Sequence, residues 1–293
     1  MAPARDTSRG RRASPSARCE VWGVLNVTPD SFSDGGRWLD PERAATHALS
    51  MVAEGADVVD VGGESSRPAG ATYGAGAAHV PVEEELRRVV PVIEALAARS
   101  VRVSVDTVKA EVARAALAAG ARIVNDVSTG RSPALLSAVA AGGAELVLMH
   151  TRADGRVDAS TTGYGDVVAE VRAELEAAVE RAVLAGVPRD RIWIDPGIGF
   201  AKTAAQSVAL LGRLDALVAT GHRVLVGASR KSFIARTVAP DEAGPGPEER
   251  LGGSLAALTA AVLFGAAAVR VHDVRESVQA VRLAEAIRGG GPR

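Results

Sequence analysis

The sequence predicts a single α/β domain, a (β/α)8 TIM barrel with its active site at the C-terminal ends of the strands. Three observations carry that prediction. Eight short apolar runs alternate with eight stretches of helical spacing, and strands alternating with helices make a parallel sheet. No gap between them is as long as a domain, and 293 residues, 47% hydrophobic, suffice for one large core. Apolar runs repeatedly end in a polar or charged residue and then a break, as expected where working groups line one rim. A doubly wound open sheet is the alternative. It needs no eighth unit and usually carries a glycine-rich phosphate loop after its first strand, which this chain lacks.

Taken in order, Val21–Thr28 is the first strand, and Pro41 opens a helix to Gly55 with Asp40 as its cap. Asp57–Val61 is strand two, and the 3–4 spacing of Leu86, Val89, Val90, Ile93 and Leu96 makes 83–99 a helix. Strand three is 102–105, followed by a helix over 109–119 that Gly120 closes. Strand four is 122–124, with a helix over 133–141. Strand five is 145–148, with the longest helix over 166–185. Strand six, Ile192-Trp193-Ile194, runs into Asp195-Pro196-Gly197, where Pro and Gly forbid continuation. A helix over 204–220, strand seven over 223–226, an acidic Pro/Gly loop over 240–249 and a helix over 251–265 follow. Strand eight over 268–271 and a last helix complete the chain.

A formal net charge of −1 argues against a general nucleic-acid binder. The one cysteine, Cys19, excludes an internal disulfide and a cysteine metal cluster, which fits a reduced cytoplasm. No apolar run reaches the roughly 18 residues of a membrane span. Residues 1–18 have no hydrophobic centre and read as a disordered basic tail, with the barrel over 19–288 and a flexible C-terminus over 289–293. Arg is used far more than Lys. The lysines, Lys109, Lys202 and Lys231, and the asparagines, Asn26 and Asn125, all fall at or just after strand ends.

In a barrel, Asn26, Glu64, Arg67, Asp106, Asn125, Met149, Asp195, Lys231, Arg270 and His272 converge on one mouth. Asp106, Asn125 and Asp195 form an acceptor-rich set suited to a flat heterocycle with several N–H donors, and Met149 and Phe200 could supply apolar faces. Arg270, His272 and Asn26 suit a diphosphate, with one Asn26 oxygen for Mg2+. The loops over 31–36 and 64–76 read as lids. Singly, each group has a plainer role. The aspartates could cap helices, Arg270 and Asp273 could form a structural ion pair, Lys109 could meet a helix carboxylate, and His150 reads as structural. Their landing together on successive strand ends favours a site.

The runs Leu25-Asn26-Val27-Thr28-Pro29-Asp30-Ser31-Phe32-Ser33-Asp34-Gly35-Gly36 and Asp60-Val61-Gly62-Gly63-Glu64-Ser65-Ser66-Arg67-Pro68 resemble the first two signatures of dihydropteroate synthases. Ser104-Val105-Asp106-Thr107, Asn125-Asp126-Val127, Asp195-Pro196-Gly197-Ile198-Gly199-Phe200, Ser229-Arg230-Lys231 and Arg270-Val271-His272-Asp273 extend the resemblance over nearly the whole chain. It implies a transferase joining 6-hydroxymethyl-7,8-dihydropterin diphosphate to 4-aminobenzoate. Asp106, Asn125, Asp195, Lys231 and Met149 would hold the pterin, and Asn26, Arg270 and His272 the diphosphate and Mg2+. Phe32, Ser66, Arg67, Pro68, Phe200, Lys231 and Ser232 would surround the aminobenzoate, the place sulfonamides mimic, with Asp34 meeting Arg67 when the lids close. Asp106, Asp195, Lys231, Arg270 and His272 would carry the catalysis, and a homodimer is implied. Ser66 stands where the family usually has Thr, and the second lid looks longer than usual. A corrinoid-linked methyltransferase domain and a non-catalytic pterin-binding paralogue are the rivals. The complete 26–36 loop and Ser229-Arg230-Lys231 favour the synthase over the first, and the intact main set over the second.

Overall fold

Eight parallel strands pair in chain order and close β8 onto β1. The structure, a computed structural model, describes residues 18–28, 40–65, 79–153, 157–240 and 244–289. The strands are β1 (Glu20–Asn26), β2 (Val58–Gly62), β3 (Val103–Asp106), β4 (Ile123–Asp126), β5 (Glu145–Met149), β6 (Ile192–Asp195), β7 (Arg223–Val226) and β8 (Ala268–Val271). The helices between and after them are α1 (Pro41–Glu54), α2 (Val82–Ala97), α3 (Ala110–Ala118), α4 (Pro133–Gly142), α5 (Val167–Leu184), α6 (Ala204–Gly212), α7 (Asp215–Val218), α8 (Ser232–Val238), α9 (Leu251–Leu263) and α10 (Val274–Arg288). The predicted caps act as such: Asp40 accepts from the backbone N–H groups of Glu42 and Arg43 at the start of α1. Asp166 does the same for Val168 and Ala169 at the start of α5. Residues 1–17 of the tail predicted over 1–18, and 290–293 of the C-terminus predicted over 289–293, lie outside the described residues.

The parallel register, with side chains alternating in and out, sorts the barrel interior into layers drawn from alternate strands. The lowest holds Glu20, Arg102, Glu145 and Arg223. Above it Val58, Ile123, Trp193 and Ala268, then Trp22, Val147 and Leu225, form an apolar plug with Trp22 edge-on to Trp193. Ser104 shares the upper of those levels. The next layer is Asp60, Asn125, Asp195 and Arg270. A dry plug thus forms the floor of a polar chamber that opens at the C-terminal rim.

Three departures from the sequence reading matter. Strands three, four and five extend to Asp106, Asp126 and Met149, so these groups are borne on hydrogen-bonded strands, not on the loops after them. Polar strand ends look like loop in sequence, but the ladder pairs Asp106 with Gly62 and Asn125. The helix expected over 204–220 breaks into α6 and α7: Arg213 leaves the helical conformation after Gly212, letting Leu214 and Leu217 bury completely. Residues 232–238, to which the sequence reading gave no element, form α8, a helix too short to show a period but anchored by buried Phe233, Ile234 and Ala235.

Candidate active site

Arg270 organises the chamber. It points inward from β8, its Nε donating to Asp60 Oδ2 at 2.5 Å and its Nη2 to Asp106 Oδ2 at 2.8 Å. Asn125 Nδ2 donates to the same Asp60 oxygen at 3.1 Å. The other oxygens, Asp60 Oδ1 and Asn125 Oδ1, are buried without a partner, as is Ser104 Oγ. An unpaired buried acceptor costs about 1–3 kcal/mol, so such groups persist where a ligand supplies the missing donors.

The opposite wall carries Asp195 and Lys231. A side chain at Gly227 would reach within 3.8 Å of Asp195 Oδ2 and Arg270 Cβ and 3.7 Å of Lys231 Nζ, which places all three around one point of the rim. Gly62 does the same on the near side, 3.5 Å from Asn26 Oδ1 and 3.7 Å from Asp106 Cβ. Asp195 Oδ1 accepts from Gly197 N at 2.7 Å. Lys231 Nζ donates to the Ile198 carbonyl at 2.7 Å and lies 4.5 Å from the centre of the Phe200 ring. Met149, buried on β5, is in register with Asp195. Ser232 follows Lys231 as the first residue of α8.

Charge in the chamber is unbalanced. Asp60, Asp106 and Asp195 face the two cations Arg270 and Lys231. Burial pushes Asp106 up to about 7 against the pull of Arg270, with Asp60 adding to the rise. Burial also raises Asp195, opposed by Lys231. It lowers the Lys231 ammonium to about 8, opposed by Asp195. The chamber thus holds one more carboxylate than it has cations, and Asp106 is the one pushed toward neutrality.

His272 lies two residues beyond Arg270. Ser229 Oγ accepts from the His272 backbone N at 3.2 Å and lies 3.1 Å from its Nδ1. A Ser229 hydroxyl proton donated to Nδ1 would leave Nε2 as the N–H donor. Burial lowers the imidazole to about 3, so this donor is neutral. Asp273 pairs with Arg230, at 3.0 and 2.5 Å, and not with Arg270. Lys109 meets the helix carboxylate Glu85 at 2.5 Å and also binds Glu64, which removes Glu64 from the chamber.

The structure thus gathers Asn26, Asp106, Asn125, Met149, Asp195, Lys231, Arg270 and His272 at one mouth, with Phe200 and Ser232 at its edge. Phe32, Asp34, Ser66, Arg67 and Pro68 lie outside the described residues, as do most of both expected lids. Asp60 is the site residue that sequence reasoning missed. Its signal was present: it is the one acidic residue in Val58-Val59-Asp60-Val61-Gly62, and strict alternation puts it on the inward face with Val58 and Gly62. Among the described residues no three His, Cys, Asp or Glu side chains gather to hold a metal. Asn26 offers one side-chain oxygen at the rim. That suits a cation arriving on phosphate oxygens and water, not one caged by protein.

Comparison with known proteins points the same way. The family described as pterin binding enzyme matches residues 22–272. The dihydropteroate synthase of Mycobacterium leprae is 51% identical over 280 residues, covering 94% of this chain and 96% of that one. The dihydropteroate synthase of Yersinia pestis, solved as a sulfonamide drug complex, superposes with a TM-score of 0.86 at 40% identity, covering 93% of this chain and 95% of that one. The Xanthomonas albilineans enzyme in complex with 7,8-dihydropteroate superposes with a TM-score of 0.78 at 45% identity, covering 92% and 94%.

Proposed function

This chain belongs to the pterin-binding enzyme family, and from that premise we propose that its barrel mouth joins 6-hydroxymethyl-7,8-dihydropterin diphosphate to 4-aminobenzoate. The activity is that of a dihydropteroate synthase, a transferase of folate biosynthesis, and the products are 7,8-dihydropteroate and diphosphate. The observation that carries the assignment of residues is the buried layer of unpaired acceptors with a surplus carboxylate, set beside cations at the same rim.

Asp106, Asn125 and Asp195 accept from the N–H groups of the pterin ring, and Met149 packs on its face. Asp60 holds Asn125 and Arg270 in place for this. The bond from the pterin CH2 to the diphosphate oxygen breaks, and its electron pair leaves with the diphosphate. The positive charge spreads into the ring, where the carboxylates of Asp106 and Asp195, ionised in the complex, stabilise it. The aminobenzoate nitrogen then bonds to the CH2 and loses a proton. Arg270, its side chain 19% exposed, and the neutral imidazole of His272 stabilise the leaving group. Asn26 is the residue that would hold Mg2+, which when bound neutralises diphosphate charge.

Phe200, Lys231 and Ser232 form the described part of the aminobenzoate site. Phe32, Ser66, Arg67 and Pro68 complete it, with Asp34 pairing with Arg67 on closure. Sulfonamides compete there. We also place the enzyme in the cytoplasm as a homodimer. The buried free thiol of Cys19 supports the first, and exposed Leu263 and Phe264 at the end of α9 with Leu283 and Ile287 on α10 support the second.

The test is diphosphate release from purified protein with both substrates and Mg2+, omitting each in turn. Release that needs both substrates is the expected result. No release, with the pterin still bound, would overturn the assignment.

A further inference from the structure

Lys202 is a buried amine outside the chemistry above, and burial lowers it to about 7. It is sealed beneath the loop after β6. Its Nζ lies 2.9 Å from the Phe200 carbonyl, 3.1 Å from the Gly197 carbonyl and 3.0 Å from His150 Nδ1, with the His150 carbonyl at 3.3 Å. His150 Nε2 meets Glu174 Oε2 of α5 at 2.9 Å. Burial lowers the imidazole to about 4, so the ring is neutral: Nε2–H donates to Glu174, and Nδ1 accepts from Lys202. Arg152 holds Glu174 from its other side and stacks on Tyr164 at 3.9 Å. A continuous line of polar contacts therefore runs from the surface of α5, through His150, to two carbonyls of the loop.

That loop needs an outside tie. Gly197, Gly199 and Ala201 all have positive φ, and a side chain at Gly197 would sit 1.9 Å from the His150 carbonyl. Asp195, at the start, is anchored without Lys202: its carbonyl accepts from His150 N at 2.9 Å and its carboxylate from Gly197 N. Phe200 lies beyond the ladder. Its backbone has one bond back to Gly197 and the Lys202 contact. Its ring in turn packs under the Lys231 ammonium.

We propose that Lys202, braced through His150 by Glu174, is a positioning residue for the aryl-amine substrate, holding Phe200 where it forms a wall of that site. This rests on the reading of Phe200 as part of the aminobenzoate site. The geometry makes the effect selective. Loss of Lys202 removes the tie on the Phe200 carbonyl, leaving Ile198 and Gly199 held by Lys231 and Ser207, and leaves the pterin-binding carboxylate on its strand.

The test is steady-state KM for both substrates in Lys202→Met, Glu174→Ala and Phe200→Ala, with thermal melts alongside. Lys202→Met should raise the KM for 4-aminobenzoate roughly tenfold and leave that for the pterin diphosphate within about twofold. Glu174, 38% exposed, is a safe second site, and its removal should give the same selective rise at about threefold. Equal rises in both KM values, or no rise, would overturn the proposal. If Lys202→Met does not fold, Glu174→Ala decides by the same criterion. Phe200→Ala separates the two layers of argument. If it leaves the aminobenzoate KM unchanged, the site reading fails. If it raises that KM while the other two variants do not, the positioning role fails.

Discussion

The two ends of the barrel both gather charge, half-buried at one end and buried at the other, and they treat it in opposite ways. At the N-terminal end, Arg102 Nη1 sits 2.9 Å from both oxygens of Glu20, and its Nη2 donates to Glu145 at 2.6 Å. Arg223 reaches the other Glu145 oxygen at 2.8 Å, and the indole N–H groups of Trp22 and Trp193 donate to Glu20 and Glu145. Burial pushes Glu145 upward, and Trp193 and Arg102 more than offset it, holding the carboxyl below its ordinary range. At the C-terminal end the carboxylates Asp106 and Asp195 are raised, and acceptors of Asp60 and Asn125 have no partner. The lower network closes on itself and so acts on stability. The upper one is left incomplete, which a stable fold alone would not favour and a ligand completes.

That contrast can be broken by substitution. The largest effect should come at the upper end. Asp195→Asn keeps the Gly197 hydrogen bond and removes the charge, and kcat/KM should fall by roughly a thousandfold with the circular dichroism spectrum intact. Near-normal turnover would remove Asp195 from the chemistry. The next effect belongs to the lower end: Glu145→Ala strips a partner from two arginines and an indole and should cost about 2 kcal/mol in denaturant unfolding. Its kcat/KM should stay within about twofold of wild type. A large catalytic loss there would mean that the two ends are not separate.

The smallest effect is in pH. Asp106 titrates at about 7 in the fold against 3.8 unfolded, so the folded state binds more protons between those values. Its contribution to stability is fully present below the unfolded value and is lost as pH rises through about 7. The melting temperature of wild type minus that of Asp106→Asn should therefore shrink from about pH 5 to about pH 8. A difference that grows instead would place the surplus proton elsewhere.

Much of this contrast is legible in the sequence. Alternating strands and helices declare the barrel, and a polar residue closing each apolar run marks the rim. Asp106, Asn125 and Asp195 need only that reading. Partner choice is not legible. Arg270 and Asp60 are 210 positions apart and meet inside the barrel over β1, the one strand between theirs. Arg230 and Arg270 both follow or sit on strand ends, and only the alternation of β8 sends Arg270 inward while Asp273 turns out toward Arg230. Lys202 and His150 were visible as residues but not as a device, because their bonds run through loop carbonyls whose positions no side-chain pattern encodes.

The central claim is that the upper chamber is built for a ligand at some expense to the free fold. The thermal melt of Asp195→Asn, with and without the pterin diphosphate, tests it most directly. Because burial disfavours the Asp195 charge, the unliganded variant should melt at or above wild type, and the rise that the ligand gives wild type should be largely lost. A variant that melts well below wild type and still gains the full ligand-induced rise would contradict the account.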